Sequence, residues 1–290
     1  MLHAGQALLP HDLWTAWSFD VVVIASLLFS AVFYARGVRR VWNAAGRGRG
    51  VTTGQCARFW SGWLALLIAL VSPLHALGSV LFSAHMTQHE LLMVLAAPLL
   101  VTSQPLVAFA WAFDKRTTVR VAHWPVSTWV GNGWRALSAP LAALIIHVVV
   151  LLAWHVPALY QATLRSDIVH GAQHASFFVS ALAFWWGLLR ARRHASAAGV
   201  AFLFAAMMVT GVFGALLTFA SQLWYPAYAA TSAPWGLSPL DDQRLGGMIM
   251  WIPGGASYLI AALWLISEWI SDDSSVRRQR PSLRQRTNEQ

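Results

Sequence analysis

Charge is scarce in this chain of 290 residues: Asp, Glu, Lys and Arg make up 11% of it, against roughly 25% in a soluble domain. Hydrophobic residues make up 57%. The deficit, combined with long apolar runs, excludes an ordinary soluble domain and places the chain in the membrane class. Cysteine is almost missing. The single Cys56 excludes a disulfide framework within the chain, a CxxC redox motif and a thiolate metal site. Any metal chemistry therefore falls to His, Met and carboxylates. The start of the chain has no Lys or Arg before Arg36, so it lacks the basic opening of a cleavable signal peptide. The first span is expected to act as its own uncleaved insertion signal.

What is present is a series of apolar runs. They cover about residues 19–34, 57–77, 84–113, 140–160, 167–189, 198–221 and 245–270, and a span needs about 20 residues. The third run is longer than that, and Pro98 and Pro105 are expected to kink or break it rather than divide it into two spans. Pro73 and His75 stop the second run, a polar Trp-bearing loop at 114–138 follows the third, and Pro253-Gly254-Gly255 interrupts the seventh. Gly, Ala and Met in the sixth run suit close helix packing. The connection 224–242, with three prolines and many aromatics, reads as an ordered loop at the membrane interface.

The resulting fold class is all-α: a bundle of seven transmembrane helices. The segments after the first, third, fifth and seventh runs hold six, four, three and five Lys or Arg, eighteen of the twenty in the chain. The other connections hold only Arg165 and Arg244. Basic loops face the cytoplasm, so the N-terminus is expected outside and the C-terminus inside. Residues 1–17 form an outer segment, 18–270 the membrane domain, and 271–290 a basic tail expected to be disordered. The net charge of +9 is then a topology signal. It calls for contact with anionic lipid and for no nucleic-acid partner.

Orientation separates the histidines. His123 and His194 fall in cytoplasmic loops and His147 near the midplane. His3, His11, His75, His85, His89, His155, His170 and His174 all lie at or beyond the outer ends of spans. His85 with His89, and His170 with His174, are one-turn pairs on single helix faces. Imidazole within a bilayer is costly unless paired or ligated. Two such pairs, with His155 and His75 at similar depth, can supply four or more nitrogen ligands. Neutral imidazole suits copper, zinc, iron and nickel, and the thioethers of Met86, Met93, Met248 and Met250 lean toward Cu(I). Bis-His ligation of a haem is the competing chemistry.

Each element also has a structural reading. A single His-x-x-x-His is a weak signal, and methionines fill irregular gaps in cores. Glu90 is either an acceptor that orients an imidazole or a group facing water. Asp241 and Asp242 open the seventh span, where carboxylates stabilise a helix N-terminus as readily as they ligate a metal. His147 is expected to be hydrogen-bonded within the bundle. Tyr160 and the outer Trp residues read as interfacial anchors.

Three stretches, HMTQHELLMVLAAPLLVTSQP, WHVPALYQATLRSDIVHGAQHASFFVSALAFWW and LDDQRLGGMIMWIPGG, resemble the CtaG family of bacterial membrane proteins. That family is tied to assembly of caa3-type cytochrome c oxidase. The resemblance runs from about residue 55 to about residue 270. It implies a seven-span protein of the inner membrane that assists oxidase maturation without catalysing a reaction, with oxidase subunits as partners. Copper delivery and stabilisation of subunit one are the roles it suggests. The pattern's histidines fall on His85, His89, His155, His170 and His174, with Asp242 in the last block. The metal set expected at the outer face is therefore His85, His89, His155, His170, His174, His75, Asp242 and Met86, with copper as the ion and haem as the alternative cofactor. An unrelated single-span copper chaperone shares the family's name, but its thiolate mechanism does not transfer to a chain with one cysteine. A metal-containing or haem-containing membrane oxidoreductase, an ion transporter and a plain scaffold are the rival functions. The apolar inner half counts against transport.

Overall fold

The computed structural model describes residues 8–113, 129–190 and 196–270. Among them every regular element is helical. The basic tail, His3, His123 and His194 lie outside the described residues. The chain opens with a 3-10 turn, Pro10–Thr15. Helix α1, Val21–Ala45, is capped by Asp20, whose carboxylate accepts from Val23 N, and ends at Gly46, where φ is 93°. It therefore runs eleven residues past the apolar stretch, carrying Arg36, Arg39 and Arg40 on its last turns. Arg40 uses this extension to donate to the carbonyls of Ala112 (3.0 Å) and Phe113 (2.6 Å), satisfying a helix C-terminus with a cation.

Helix α2, Thr53–Leu70, begins with a reciprocal capping box between Thr52 and Gln55. After a two-residue break, the short helix α3, Pro73–Leu77, carries His75. Helix α4, Phe82–Ser103, bends by 59° at Gln104 into α5, Pro105–Ala112. Gln104 takes a left-handed conformation with φ 50°, and Pro105 is the cause, since its ring cannot continue the helix. Pro98 has a milder effect. A π turn at Leu91–Ala96 precedes it, the widened coil giving the ring room.

The expected loop at 114–138 is helical in its last part: α6, Trp129–Leu137, bends by 76° into α7, Pro140–Trp154. The fourth apolar run also ends earlier than expected. Val156 precedes Pro157 and is extended, so His155 closes α7 and a separate helix α8, Pro157–Arg165, follows. Helices α9, Asp167–Arg190, and α10, Ser196–Thr218, come next. The last, α11, is one helix from Pro239 to Ile270. Its start is earlier than the hydropathy suggested because Ser238 caps it. Pro253 does not interrupt it, for a π turn at Met250–Gly254 absorbs the proline.

By length and composition three helices can cross a membrane, Val21–Ala45, Ala197–Thr218 and Pro239–Ile270, or five if each bent pair is one span. Helices α2 and α9, with 18 and 24 residues, have the length of a span but are diluted by polar residues: Gln55 and Arg58 in α2, and His170, Gln173 and His174 in α9. The protein is a multi-pass, all-helical membrane protein. Small residues set its closest crossings, as expected for the sixth run. A Cβ on Gly214 of α10 would stand 2.7 Å from the carbonyl oxygen of Gly247 of α11, and one on Gly247 the same distance from Gly214 O. Aliphatic side chains such as Leu28, Val149 and Leu263 stay exposed on the outer wall, where lipid takes the place of a protein core.

Candidate metal centre

The histidines converge where the N-terminal turns of α4, α9 and α11 meet the end of α7 and helix α3. Helix α4 supplies His85 and His89, α9 supplies His170 and His174, α7 ends in His155, and α3 supplies His75. The rings form one contiguous aggregate. Ring centroids are separated by 4.5 Å for His85 and His89, 4.2 Å for His170 and His174, 5.1 Å for His85 and His170, and 5.5 Å for His89 and His174. His155 lies 6.0 Å from His89, and His75 stacks on His170 at 5.2 Å. Within this aggregate one ring nitrogen from each of His85, His89 and His174 falls within 4.8 Å of the others. All three are buried, His89 to 1% exposure and His85 to zero.

Their hydrogen bonding is incomplete. Among the described residues neither nitrogen of His89 has a partner, and neither does Nε2 of His170 or of His174. Leaving a buried polar group unpaired costs about 1–3 kcal/mol, so these nitrogens are candidates for a ligand. His85 is anchored differently. Its Nδ1 stands 3.2 Å from the carbonyl oxygen of Gly78 and its Nε2 3.1 Å from Gln173 Oε1. A neutral imidazole has one hydrogen and cannot serve two acceptors. The Nδ1–H donates to Gly78, and the Gln173 amide, whose Nε2 is otherwise unpartnered, satisfies His85 Nε2 when its NH2 faces the ring. The His85 Nε2 lone pair is thereby held by an amide hydrogen bond that a bound ion would have to displace, while the opposite nitrogen donates to a backbone carbonyl, as it does in a metal-ligating histidine.

The rest of the expected set is distributed around this trio. His170 contacts both His85 and His174 and is only partly exposed. His75 stands at the rim. Gln88 donates to Ala69 O at 2.7 Å and to His75 Nδ1 at 3.2 Å, so the His75 lone pair is engaged by an amide. Burial holds the His75 imidazole below its ordinary value, against the pull of the Asp20 and Asp167 carboxylates. Met86 is fully buried, with its sulfur 3.5 Å from His155 Nε2. Met93 and Met250 pack in separate hydrophobic clusters, and Met248 is 40% exposed.

Asp242 is a capping group of an unexpected kind. It does not cap its own helix, a task left to Ser238. Its carboxylate accepts from Phe82 N (2.6 Å), Ser83 N (3.0 Å) and Ser83 Oγ (2.5 Å) at the start of α4, whose own N-cap residue, Leu81, has an aliphatic side chain that cannot accept a capping hydrogen bond. Glu90 bonds to no imidazole among the described residues. It is buried, its Oε2 has no partner among the described residues, and it packs on Gly254 of α11. His147 is bonded within the bundle as expected, Nδ1 to Ser180 Oγ and Nε2 to Tyr258 OH, both at 3.2 Å.

Tyr160 is not an interfacial anchor. It is fully buried, its hydroxyl 2.9 Å from that of Tyr228. The connection before α11 is ordered and folds inward over the imidazoles. Tyr228 donates to Gly78 O (3.0 Å), Tyr225 to His155 O (2.8 Å), and Thr231 to Val80 O (2.7 Å). Burial raises the Tyr225 and Tyr228 phenols above their ordinary range. Gln88 and Gln173 were not picked out from the sequence, although a signal was available: His-x-x-Gln-His occurs at His85–His89 and again at His170–His174. In each copy the glutamine holds an imidazole on another element.

The chain is 26% identical over 272 residues to an uncharacterized protein of Mycobacterium bovis and to one of Mycobacterium tuberculosis, and 27% identical over 274 residues to one of Mycobacterium leprae. These alignments cover 90–91% of this chain and 40–41% of the relatives, so the chain spans about two fifths of their length. No solved structure matches it. The family described as cytochrome c oxidase caa3 assembly factor (Caa3_CtaG) matches residues 32–272, and the chain belongs to that family.

Proposed function

We propose that this protein assists assembly of a caa3-type cytochrome c oxidase by binding a metal ion, copper, at the outer face of the bacterial cytoplasmic membrane. The observation that carries the reading is the trio His85, His89 and His174, buried and with nitrogens within 4.8 Å of one another. Nitrogen donors without thiolates suit copper and zinc among the common ions. The rings touch one another at centroid distances of 4.2–6.0 Å, which favours a small ion over a porphyrin that would have to part them. Residues 271–290 act as a cytoplasmic tail and 1–17 as an outer segment flanking one membrane domain.

Seven spans follow if α2 and α9 cross alongside the three long helices and the two bent pairs. The hydrogen bond from Arg40 to Phe113 O joins the C-terminal ends of α1 and α5, which supports reading both ends on one side, the cytoplasmic side if the N-terminus is outside. The protein holds and passes on an ion rather than turning over a substrate. Its partners are lipid and oxidase subunits, with no nucleic acid.

Elemental analysis and a visible spectrum of the detergent-solubilised protein test the reading. Near-stoichiometric copper in the wild type and none in His85→Ala/His174→Ala supports it. A haem spectrum, or no metal after loading, overturns it.

A further inference from the structure

His155 and Met86 form a pair that the imidazole trio leaves unused. His155 Nδ1 stands 2.7 Å from the carbonyl oxygen of Leu151 in the preceding turn. That bond takes the one hydrogen of a neutral ring. Nε2 is thereby left as a bare lone pair, and it faces the Met86 sulfur at 3.5 Å. Thioether sulfur is an acceptor and has no hydrogen to offer. Two lone-pair donors, exposed to 2% and 0%, thus oppose each other with no proton between them, away from the protein surface. A shared cation relieves that opposition. A nitrogen about 2.0 Å and a sulfur about 2.3 Å from one ion, at a tetrahedral angle, lie about 3.5 Å apart.

We infer that His155 Nε2 and Met86 Sδ form a second metal position, selective for a soft monovalent cation of the Cu(I) class, beside the nitrogen-only position of His85, His89 and His174. This rests on the metal-binding reading above and divides it into two chemistries. Imidazoles alone accept borderline divalent ions, whereas a thioether adds affinity only for soft ones. His89 links the positions. Its ring is 4.5 Å from that of His85 and 6.0 Å from that of His155, and both of its nitrogens are unpartnered among the described residues. The backbone fixes the soft position from two sides: Leu151 O holds the His155 ring, and Tyr225 donates to His155 O at 2.8 Å.

The test compares the full-length protein in detergent with Met86→Leu, which keeps the side-chain volume and removes the sulfur. Each is titrated anaerobically with Cu(I) and separately with Zn(II), and the copper-loaded samples are measured by X-ray absorption. The wild type is expected to show a sulfur shell at about 2.3 Å. Met86→Leu is expected to lose that shell and to bind Cu(I) about tenfold or more weakly, while Zn(II) binding is unchanged. A copper spectrum of nitrogen alone in the wild type, or unchanged Cu(I) affinity in Met86→Leu, overturns the soft position and leaves the imidazole trio standing. Failure of the wild type to bind either ion overturns the trio and the soft position together.

Discussion

Replacing Asp242 with alanine separates a capping carboxylate from a ligating one. The carboxylate is fully buried and accepts two backbone N–H groups and one hydroxyl at the first turn of α4. Hydrogen bonds to a charged acceptor contribute about 1.5–3 kcal/mol each, and truncation leaves the donors buried and unpaired. Two charge-assisted amide bonds and the Ser83 hydroxyl, discounted for shared geometry, amount to about 4 kcal/mol. At about 2–4 °C per kcal/mol for a chain of this size, the metal-free protein should melt about 8–16 °C lower. Asp242→Asn should fall between, because one end of an amide is a donor that opposes the backbone N–H groups. Helical circular dichroism of metal-free protein in detergent is the assay. An Asp242→Ala protein that melts within about 2 °C of the wild type yet loses its metal would show that the carboxylate is a ligand and that the cap is incidental.

Three further outcomes are expected. His89→Leu should abolish binding at the imidazole trio while raising the melting temperature of the metal-free protein. It removes an imidazole with neither nitrogen partnered, worth about 1–3 kcal/mol of relieved desolvation. A lower metal-free melting temperature would contradict this. Gly37→Ala should destabilise by more than about 3 kcal/mol, since its Cβ would enter the backbone carbonyl of Ala108, where no side chain can swing aside. Wild-type stability there would mean that α1 and α5 do not pack this closely. Stability should also fall on acidification. The folded chain holds the His75 imidazole below its ordinary value, mainly through burial, so it binds that proton less readily than the unfolded chain. The His75 contribution is present above about pH 6.5 and is lost as pH drops below it. His75→Gln should flatten the acid limb of melting temperature against pH, and an unchanged limb would exclude the residue as its source.

By itself the amino-acid sequence determined the membrane class, the helical fold and the end of the bundle where the histidines gather. Each is a local property: apolar runs, scarce charge, and histidines set one turn apart on α4 and α9. The bends at Pro105 and the close packing of Gly214 were legible for the same reason, since proline and glycine act on their own turns. What each polar group does was not local. Asp242 reads as either the cap of its own helix or a metal ligand, and only the crossing of α11 over α4 hands its carboxylate to Phe82 and Ser83, about 160 residues earlier. Tyr160 reads as an anchor until Tyr228, 68 residues away, meets its hydroxyl. The same holds for the imidazoles. Sequence spacing pairs His85 with His89 and His170 with His174, but it cannot say that Gln88 and Gln173 occupy lone pairs on rings of other elements. Nor can it say that His155 faces Met86. A hydrogen bond or a ligand set depends on distances within a few tenths of an ångström between chain-distant atoms, and only the packed helices set those distances.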